Sequence, residues 1–304
     1  MSIMKKYLDN WDELNDEQKK LAEKEFRGSP GLNAAVVHPA AKFLEKHNWV
    51  KIDRFIDQNM ANLFYHHVQL SAGRLNWMEE HLSKDDINSE IWGTFGDTQA
   101  PGDFSLYGAP IFDTLLSLSL TQMQTLTAKD LVPTYSYHRF YTTGTELKRH
   151  SDRPSCEIST SLCLGYDVSN VDASKYPDWD WPMFVKETDG TEVPVHMKPG
   201  DMIIYKGCEI EHWREPFWGK NHAQVFLHYN EKGGQYDIPY DGRPMLGLPN
   251  EFQSPEAIKK KTDLELKREE VKEIETSGQG GAGKADEKEE AKETVVPYPK
   301  KVIY

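Results

Sequence analysis

Cysteine is scarce in this chain, with three residues in 304. So few thiols exclude the disulfide scaffold of small secreted domains and suit a reducing compartment. No apolar run approaches the roughly 18 residues of a membrane-spanning helix, and the first residues lack the pattern of a signal peptide. We therefore expect a cytoplasmic protein that neither spans a membrane nor is secreted.

Positive charge is also in short supply. The 36 Lys and Arg residues are outnumbered by 49 Asp and Glu residues, which gives a formal net charge of −13. This balance disfavours nucleic acid as a partner, because phosphates select basic surfaces. Aromatic residues are abundant by contrast, with 8 Trp, 14 Tyr and 12 Phe. Together with the length, they predict a folded domain with a sizeable core.

Composition and local pattern divide the chain into three parts. We expect a helical extension over residues 1–44, a main domain over residues 45–252 and a charged, flexible tail over residues 253–304. The tail combines many Lys and Glu residues with the Gly-rich stretch 278–283. Such a composition does not supply enough apolar surface to bury a core.

The main domain is predicted to be mainly β with flanking helices. Short apolar or alternating runs bounded by turn residues indicate strands, as in 202–205 after the turn Pro199-Gly200-Asp201. Two longer segments, 58–81 and 111–126, carry apolar residues at helical spacing. We expect these helices to brace the outside of the β structure.

Three side chains have the pattern of a metal site. His150 and Asp152 are two residues apart, so on a strand they point to the same side. His212 follows 212 − 152 = 60 residues later, after an apolar strand and a turn that can return it to the same place. Two imidazoles and one carboxylate are the ligands of the facial triad, which leaves metal positions open on one side. Chance alone gives roughly two His-x-acid pairs in a chain of this composition, so the strand context carries the prediction.

The sequence around these residues resembles the iron(II)/2-oxoglutarate dioxygenases, in particular their prolyl-4-hydroxylase-like branch of bacterial and phage type. The residues that carry the resemblance are Tyr141, Gly144, Leu147, His150, Asp152 and Arg153, then the turn 199–201, then His212. The resemblance implies a double-stranded β-helix, or jelly-roll, core. It also implies Fe(II) held by the three predicted ligands, 2-oxoglutarate as co-substrate, O₂, and ascorbate as reductant.

The same resemblance implies a reaction. An enzyme of this kind hydroxylates its substrate while 2-oxoglutarate is decarboxylated to succinate. Peptides, free amino acids, nucleobases and sugar-linked compounds are all substrates in the superfamily, and this branch favours a peptidyl residue such as proline. A protein or peptide partner is therefore expected, in the host cytoplasm if a phage encodes the chain.

Residues that bind 2-oxoglutarate are only partly indicated. The family places a contacting tyrosine about nine residues before the first histidine, which implies Tyr141, since 150 − 141 = 9. Relatives usually place a cation for the distal carboxylate about nine to eleven residues after the second histidine, where this chain has the sequence Asn-His-Ala at 221–223. Arg214 and His222 are equally favoured as the anchor, because either can pair with a carboxylate when charged. Further candidates are Lys220, Arg139 and Arg153.

A second class of function stays open at this stage. A cupin-like binding module or isomerase also has a jelly-roll fold and can hold a metal without redox chemistry. Such sites usually contain more histidines, often as a His-x-His pair, whereas this chain has His-x-Asp at 150–152. The oxygenase is therefore the favoured prediction.

Overall fold

The computed structural model describes residues 37–176 and 179–278. Its helices are α1 (Pro39–His47), α2 (Gln58–His81), α3 (Ser89–Trp92), α4 (Pro110–Thr127) and α5 (Pro255–Gly278). Its strands are β1 (Trp49–Ile52), β2 (Phe104–Tyr107), β3 (Leu131–Thr142), β4 (Leu147–His150), β5 (Ile158–Asp167), β6 (Met183–Lys186), β7 (Glu192–Val195), β8 (Met202–Lys206), β9 (His212–Arg214) and β10 (Asn221–Glu231). Most of the predicted extension, residues 1–36, lies outside the described residues.

The strands form two antiparallel sheets. The larger sheet has six strands in the order β1-β8-β5-β10-β3-β2, and the smaller has four in the order β4-β9-β6-β7. Every strand pair is antiparallel. The predicted mainly β character is thereby confirmed.

The larger sheet is buried on both faces. On β8, Met202 and Ile204 pack in the cluster that contains the helical side chains, because alternate residues of a strand point to opposite faces. Ile203 and Tyr205 point the other way and pack with residues of the smaller sheet. Burial on both sides explains why this strand appears in the sequence as an unbroken apolar run.

Two helices cover the outer face of the larger sheet. Helix α2 buries Val68 and Leu75, and α4 buries Leu116 and Met123, all in the same apolar cluster. The two helices meet where the rings of Phe64 and Phe112 lie 5.3 Å apart. None of the helices among the described residues combines the length and apolar character that crossing a membrane requires.

The C-terminal part differs from the expected flexible tail over its first half. Residues 255–278 form α5, and Lys261 on this helix is buried, with its Nζ atom 3.1 Å from a carboxylate oxygen of Asp241. Composition does not reveal this contact, because it depends on a buried partner supplied by the main domain. Residues 279–304 of the predicted tail lie outside the described residues.

Burial of His138 in the apolar layer makes the stability of the fold sensitive to acid. His138 is fully buried against Phe112, and neither ring nitrogen has a hydrogen-bond partner among the described residues. Burial, together with His67, lowers the pKa of His138 to about 3. The unfolded chain, with a histidine pKa of about 6.5, therefore binds a proton in a pH range where the folded protein does not. The free energy of unfolding consequently falls as the pH falls from about 6.5 towards 3.

Between pH 7 and pH 5, we expect the free energy of unfolding of His138→Phe to fall by about 2 kcal/mol less than that of the wild type. Urea unfolding of the metal-free proteins at the two pH values measures this difference. The exposed His66 gives the matched control, since His66→Phe should keep the wild-type pH dependence. An unchanged pH dependence in His138→Phe would contradict the assignment.

Candidate active site

The structure brings the three predicted metal ligands together at the smaller sheet. Strands β4 and β9 pair so that His150 lies opposite His212, and Asp152 follows two residues after the end of β4. Asp152 Oδ1 lies 3.7 Å from His150 Nε2 and 3.5 Å from His212 Nε2. All three ligand atoms fall within 4.8 Å of one another, a spacing that one metal ion can bridge.

Backbone carbonyls fix which nitrogen of each imidazole faces this point. His150 Nδ1 lies 2.7 Å from the carbonyl of Lys148, and His212 Nδ1 lies 3.2 Å from the carbonyl of Ile210. A carbonyl only accepts hydrogen bonds, so both Nδ1 atoms carry the proton and both Nε2 atoms present a lone pair. This is the tautomer of metal-bound histidines, whose second nitrogen is held by a neighbouring acceptor.

The ionisation of the cluster suits a cation. Burial raises the pKa of Asp152, but interactions with His212 and His228 and the hydrogen bond from Ser159 outweigh it and hold that pKa well below its usual range. Burial and the neighbouring His212 lower the pKa of His150, which favours the neutral imidazole. Two lone pairs and a carboxylate oxygen converge, an arrangement that a divalent cation stabilises.

A hydrogen bond fixes the second carboxylate oxygen of Asp152. Ser159 Oγ lies 2.7 Å from Asp152 Oδ2, and His228 Nδ1 lies 3.0 Å from the same hydroxyl. Burial lowers the pKa of His228 to about 4, so this residue is a neutral hydrogen-bonding group. The network leaves Oδ1 of Asp152 directed at the two histidines.

A cavity of about 410 Å³ opens beside the three residues. Its wall is built largely from side chains of the larger sheet that point towards the smaller one. These include Tyr107, Tyr135, Tyr137, Arg139, Ser161, Tyr205, Phe226 and His228. The alternation of β3 places Tyr135, Tyr137 and Arg139 on this face, while Asp97 and Gln99 close one side from the loop before β2.

Arg214 reaches the cavity from the same strand as His212. The two residues are two positions apart on β9, and both line the cavity. Arg214 is only 2% exposed, and its Nη1 atom donates to the carbonyl of Trp181. Its Nη2 atom has no partner, and no carboxylate pairs with Arg214 among the residues that the structure describes. Burial lowers the pKa of Arg214, as expected for a cation without a counter-ion.

His222 occupies a different position. It is absent from the described lining of the cavity and is buried, with its ring stacked on Tyr166 at 5.5 Å between centroids. Burial and the nearby Arg214 lower the pKa of His222 far below its usual value. The imidazole is therefore neutral and cannot pair with an anion as a cation would.

Tyr141 follows Tyr137 and Arg139 on the same face of β3. Its ring is fully buried and meets the Trp181 ring edge-on at 5.0 Å, and Arg139 Nη1 lies 3.5 Å from its hydroxyl. Among the described residues that line the cavity, Tyr141 does not appear. Trp181 therefore links Tyr141 to Arg214, since its carbonyl holds the guanidinium.

The remaining cations considered from sequence all have acidic partners. Arg139 Nη2 lies 2.6 Å from Asp97, Arg153 Nη2 lies 3.1 Å from Asp241, and Lys220 Nζ lies 3.3 Å from Asp167. Arg214 differs from these three in having no acidic partner within the described part of the chain. Sequence alone favours Arg214 and His222 equally, because it does not show which cation lacks an acidic partner.

Solved structures that match this fold include 2-oxoglutarate/Fe(II) oxygenases. A prolyl-4-hydroxylase from Pseudomonas putida is 16% identical, with 63% of this chain and 97% of that chain covered and a TM-score of 0.46. An oxidoreductase of the 2OG-Fe(II) oxygenase family from Burkholderia pseudomallei is 12% identical, with 66% and 91% covered and a TM-score of 0.42. No protein-family model and no curated protein matches the chain.

Gly207 offers a test of how tightly the site is built. A Cβ atom at this position would lie 2.5 Å from Asp152 Oδ2 and 2.7 Å from Ser159 Oγ, and still nearer the carbonyl of Cys156. We expect Gly207→Ala to weaken binding of a divalent metal by at least roughly tenfold, because the ligand and its hydrogen-bonding partner must both move.

Titration with Co²⁺, followed by visible absorbance, measures this affinity. Gly73→Ala is the matched control, since its Cβ atom would meet nothing within 4 Å. That variant should bind metal normally and gain up to about 1 kcal/mol of helix stability. Unchanged metal affinity in Gly207→Ala would show that the site tolerates displacement of Asp152.

Proposed function

We propose that this chain is an Fe(II)- and 2-oxoglutarate-dependent oxygenase with a double-stranded β-helix core formed by its two sheets. One observation carries the proposal. Two histidine Nε2 atoms and a carboxylate oxygen converge at a cavity that also contains an unpaired, buried guanidinium. Such an arrangement can hold a metal ion and an anionic group in the same cavity.

Each residue of the proposed triad has a defined task. His150 and His212 bind as neutral imidazoles, held in orientation by the carbonyls of Lys148 and Ile210. Asp152 binds through Oδ1, while Ser159 holds its other oxygen. Three protein ligands leave positions free for a co-substrate and O₂. Bound Fe(II) would supply the oxygen activation that couples decarboxylation of 2-oxoglutarate to hydroxylation of the substrate.

Arg214 is the proposed anchor for the distal carboxylate of 2-oxoglutarate. Arg214 and His212 are two residues apart, which corresponds to roughly 6.5 Å along a strand. This separation would allow one end of 2-oxoglutarate to bind the metal while its distal carboxylate reaches Arg214. A guanidinium can bind a carboxylate with two parallel hydrogen bonds. The unpaired Nη2 atom is available for such a bond. Tyr141 is the proposed second contact of 2-oxoglutarate, since it lies on the same face of β3 as the cavity-lining Tyr137 and Arg139.

The prime substrate would occupy the part of the cavity left by the co-substrate. Aromatic side chains, among them Tyr107, Tyr135, Tyr137 and Phe226, form much of this wall. The cavity of about 410 Å³ lies near the lower end of the usual range for ligand sites, which is about 300–1,000 Å³. We propose a side chain presented by a peptide, such as a prolyl residue, with ascorbate as reductant and the cytoplasm as the location.

The cupin-like alternative gains no support from the surroundings of the triad. A site of that kind would use additional histidines on the metal. The nearby His228 is not among the three residues of the triad, and its Nδ1 atom is hydrogen-bonded to the Ser159 hydroxyl that also holds Asp152 Oδ2. The oxygenase remains the function that the geometry supports best.

The proposed activity predicts succinate formation even without a prime substrate. We expect slow conversion of 2-oxoglutarate to succinate in the presence of Fe(II), O₂ and ascorbate, measured by mass spectrometry. The variant with both His150→Ala and His212→Ala should lose metal binding and turnover, because one carboxylate is a weak site by itself. Full Fe(II) affinity in that double variant would contradict the proposal. The same assay with pools of peptides identifies the substrate by a mass increase of one oxygen atom.

Arg214→Met should weaken 2-oxoglutarate binding by roughly 30- to 150-fold, which corresponds to about 2–3 kcal/mol for a charge-assisted contact. His222→Leu is the matched comparison, since it removes a buried polar ring that is absent from the described cavity lining. Its 2-oxoglutarate affinity should change by less than about threefold, or less than 0.7 kcal/mol. Anaerobic titration of the Fe(II) protein with 2-oxoglutarate measures both. A larger effect of His222→Leu than of Arg214→Met would assign the anchor to His222.

A further inference from the structure

We propose that Arg268, on the C-terminal helix α5, is a positioning residue that sets the geometry of the metal ligands. This inference rests on the proposed metal site and concerns a part of the chain far from it in sequence. Arg268 Nη1 donates to the carbonyl of Asp152 at 2.6 Å, and Nη2 donates to the carbonyl of Cys208 at 2.9 Å. One guanidinium therefore bridges two separate backbone segments.

Both bridged segments carry metal ligands. Asp152 is itself one of the three, and Cys208 lies in the turn between β8 and β9 that leads to His212. The same two segments meet through the amide of Asp152, which donates to the carbonyl of Gly207 at 2.8 Å. Arg268 thus adds two charge-assisted hydrogen bonds where the ligand-bearing segments already touch.

The smaller sheet alone gives these ligands little support. Strand β4 has 4 residues and β9 has 3, and their pairing is irregular between Leu147 and His150. Few ladder hydrogen bonds therefore constrain the segments on which His150 and His212 lie. Support from outside the sheet has a larger effect on such short strands than it would have on the long strands of the larger sheet.

A second contact holds α5 against the domain independently of Arg268. Lys261 Nζ lies 3.1 Å from Asp241 Oδ1, and the side chain of Asp241 is completely buried. The other oxygen of Asp241 accepts hydrogen bonds from Tyr107 at 2.8 Å and from Arg153 at 3.1 Å. Because Arg153 follows Asp152 directly, this second contact also ends next to the proposed metal ligand. Removing Arg268 should therefore leave α5 in place and affect the geometry of the site.

The experiment compares three variants of the full-length protein with the wild type, using Co²⁺ as the probe. Arg268→Gln removes the charge and the bridge, and Arg268→Lys keeps the charge but cannot span both carbonyls with a planar fork. Lys267→Gln is the matched control, since it makes the same change of charge at the exposed neighbouring position. The measurements are the dissociation constant for Co²⁺, the visible Co²⁺ spectrum and the melting temperature of the metal-free protein.

We expect Arg268→Gln to raise the Co²⁺ dissociation constant by roughly 10- to 100-fold, the range for residues that orient metal ligands, and to change the visible spectrum. Arg268→Lys should recover only part of the affinity. Lys267→Gln should behave as the wild type. A residue that merely held the helix would lower the melting temperature without altering the spectrum of the bound metal.

The outcomes separate this inference from the proposed function. Wild-type affinity and spectrum in Arg268→Gln, with normal Co²⁺ binding by the wild type, would overturn the positioning role alone. A lower melting temperature with an unchanged spectrum would overturn it as well. If the wild-type protein itself binds neither Co²⁺ nor Fe(II), the proposed metal site fails, and the role of Arg268 fails with it.

Discussion

The approach of one carboxylate oxygen to two imidazole nitrogens is the constraint on which the site depends. Asp152 Oδ1 lies within 3.7 Å of both His150 Nε2 and His212 Nε2. These three atoms all carry lone pairs, so their convergence is unfavourable unless a cation or a proton lies between them. The surroundings of His150 oppose the proton, because burial and the neighbouring His212 lower its pKa. A metal ion satisfies the same geometry.

Buried arginines near the cavity differ in whether a carboxylate compensates their charge. Arg139 and Arg243 each lie within 3.1 Å of a carboxylate, so their charges are compensated inside the protein. Arg214 is equally buried but has a backbone carbonyl and an aromatic face as partners, with the Trp181 ring centroid 4.6 Å from the guanidinium carbon. A buried cation without an anion is unfavourable. An anionic ligand that fills the cavity therefore gains most at Arg214.

Local sequence rules predicted the parts of the structure that depend on near neighbours. The apolar run of β8 and the helical spacing of α4 are properties of a few adjacent residues, and the structure shows both elements close to the expected ranges. His150 and Asp152 share a side because they are two residues apart. The roles of Arg214 and His222 were undecided, since they depend on which cation meets a carboxylate from another segment. The docking of α5 was not predicted for the same reason, because the contact between Lys261 and Asp241 forms only when the chain folds.

The two sheets contribute to the site in different ways. One face of the larger sheet packs against the helices in the main apolar core, while its other face supplies most of the cavity wall. The two histidines of the triad lie on short strands of the smaller sheet and Asp152 lies just beyond β4, where it is contacted by Ser159 on the larger sheet and Arg268 on α5. Substitutions in these supporting groups remove few apolar contacts but shift ligand atoms. They should therefore change metal affinity more than the free energy of unfolding, whereas core substitutions in the larger sheet should do the reverse.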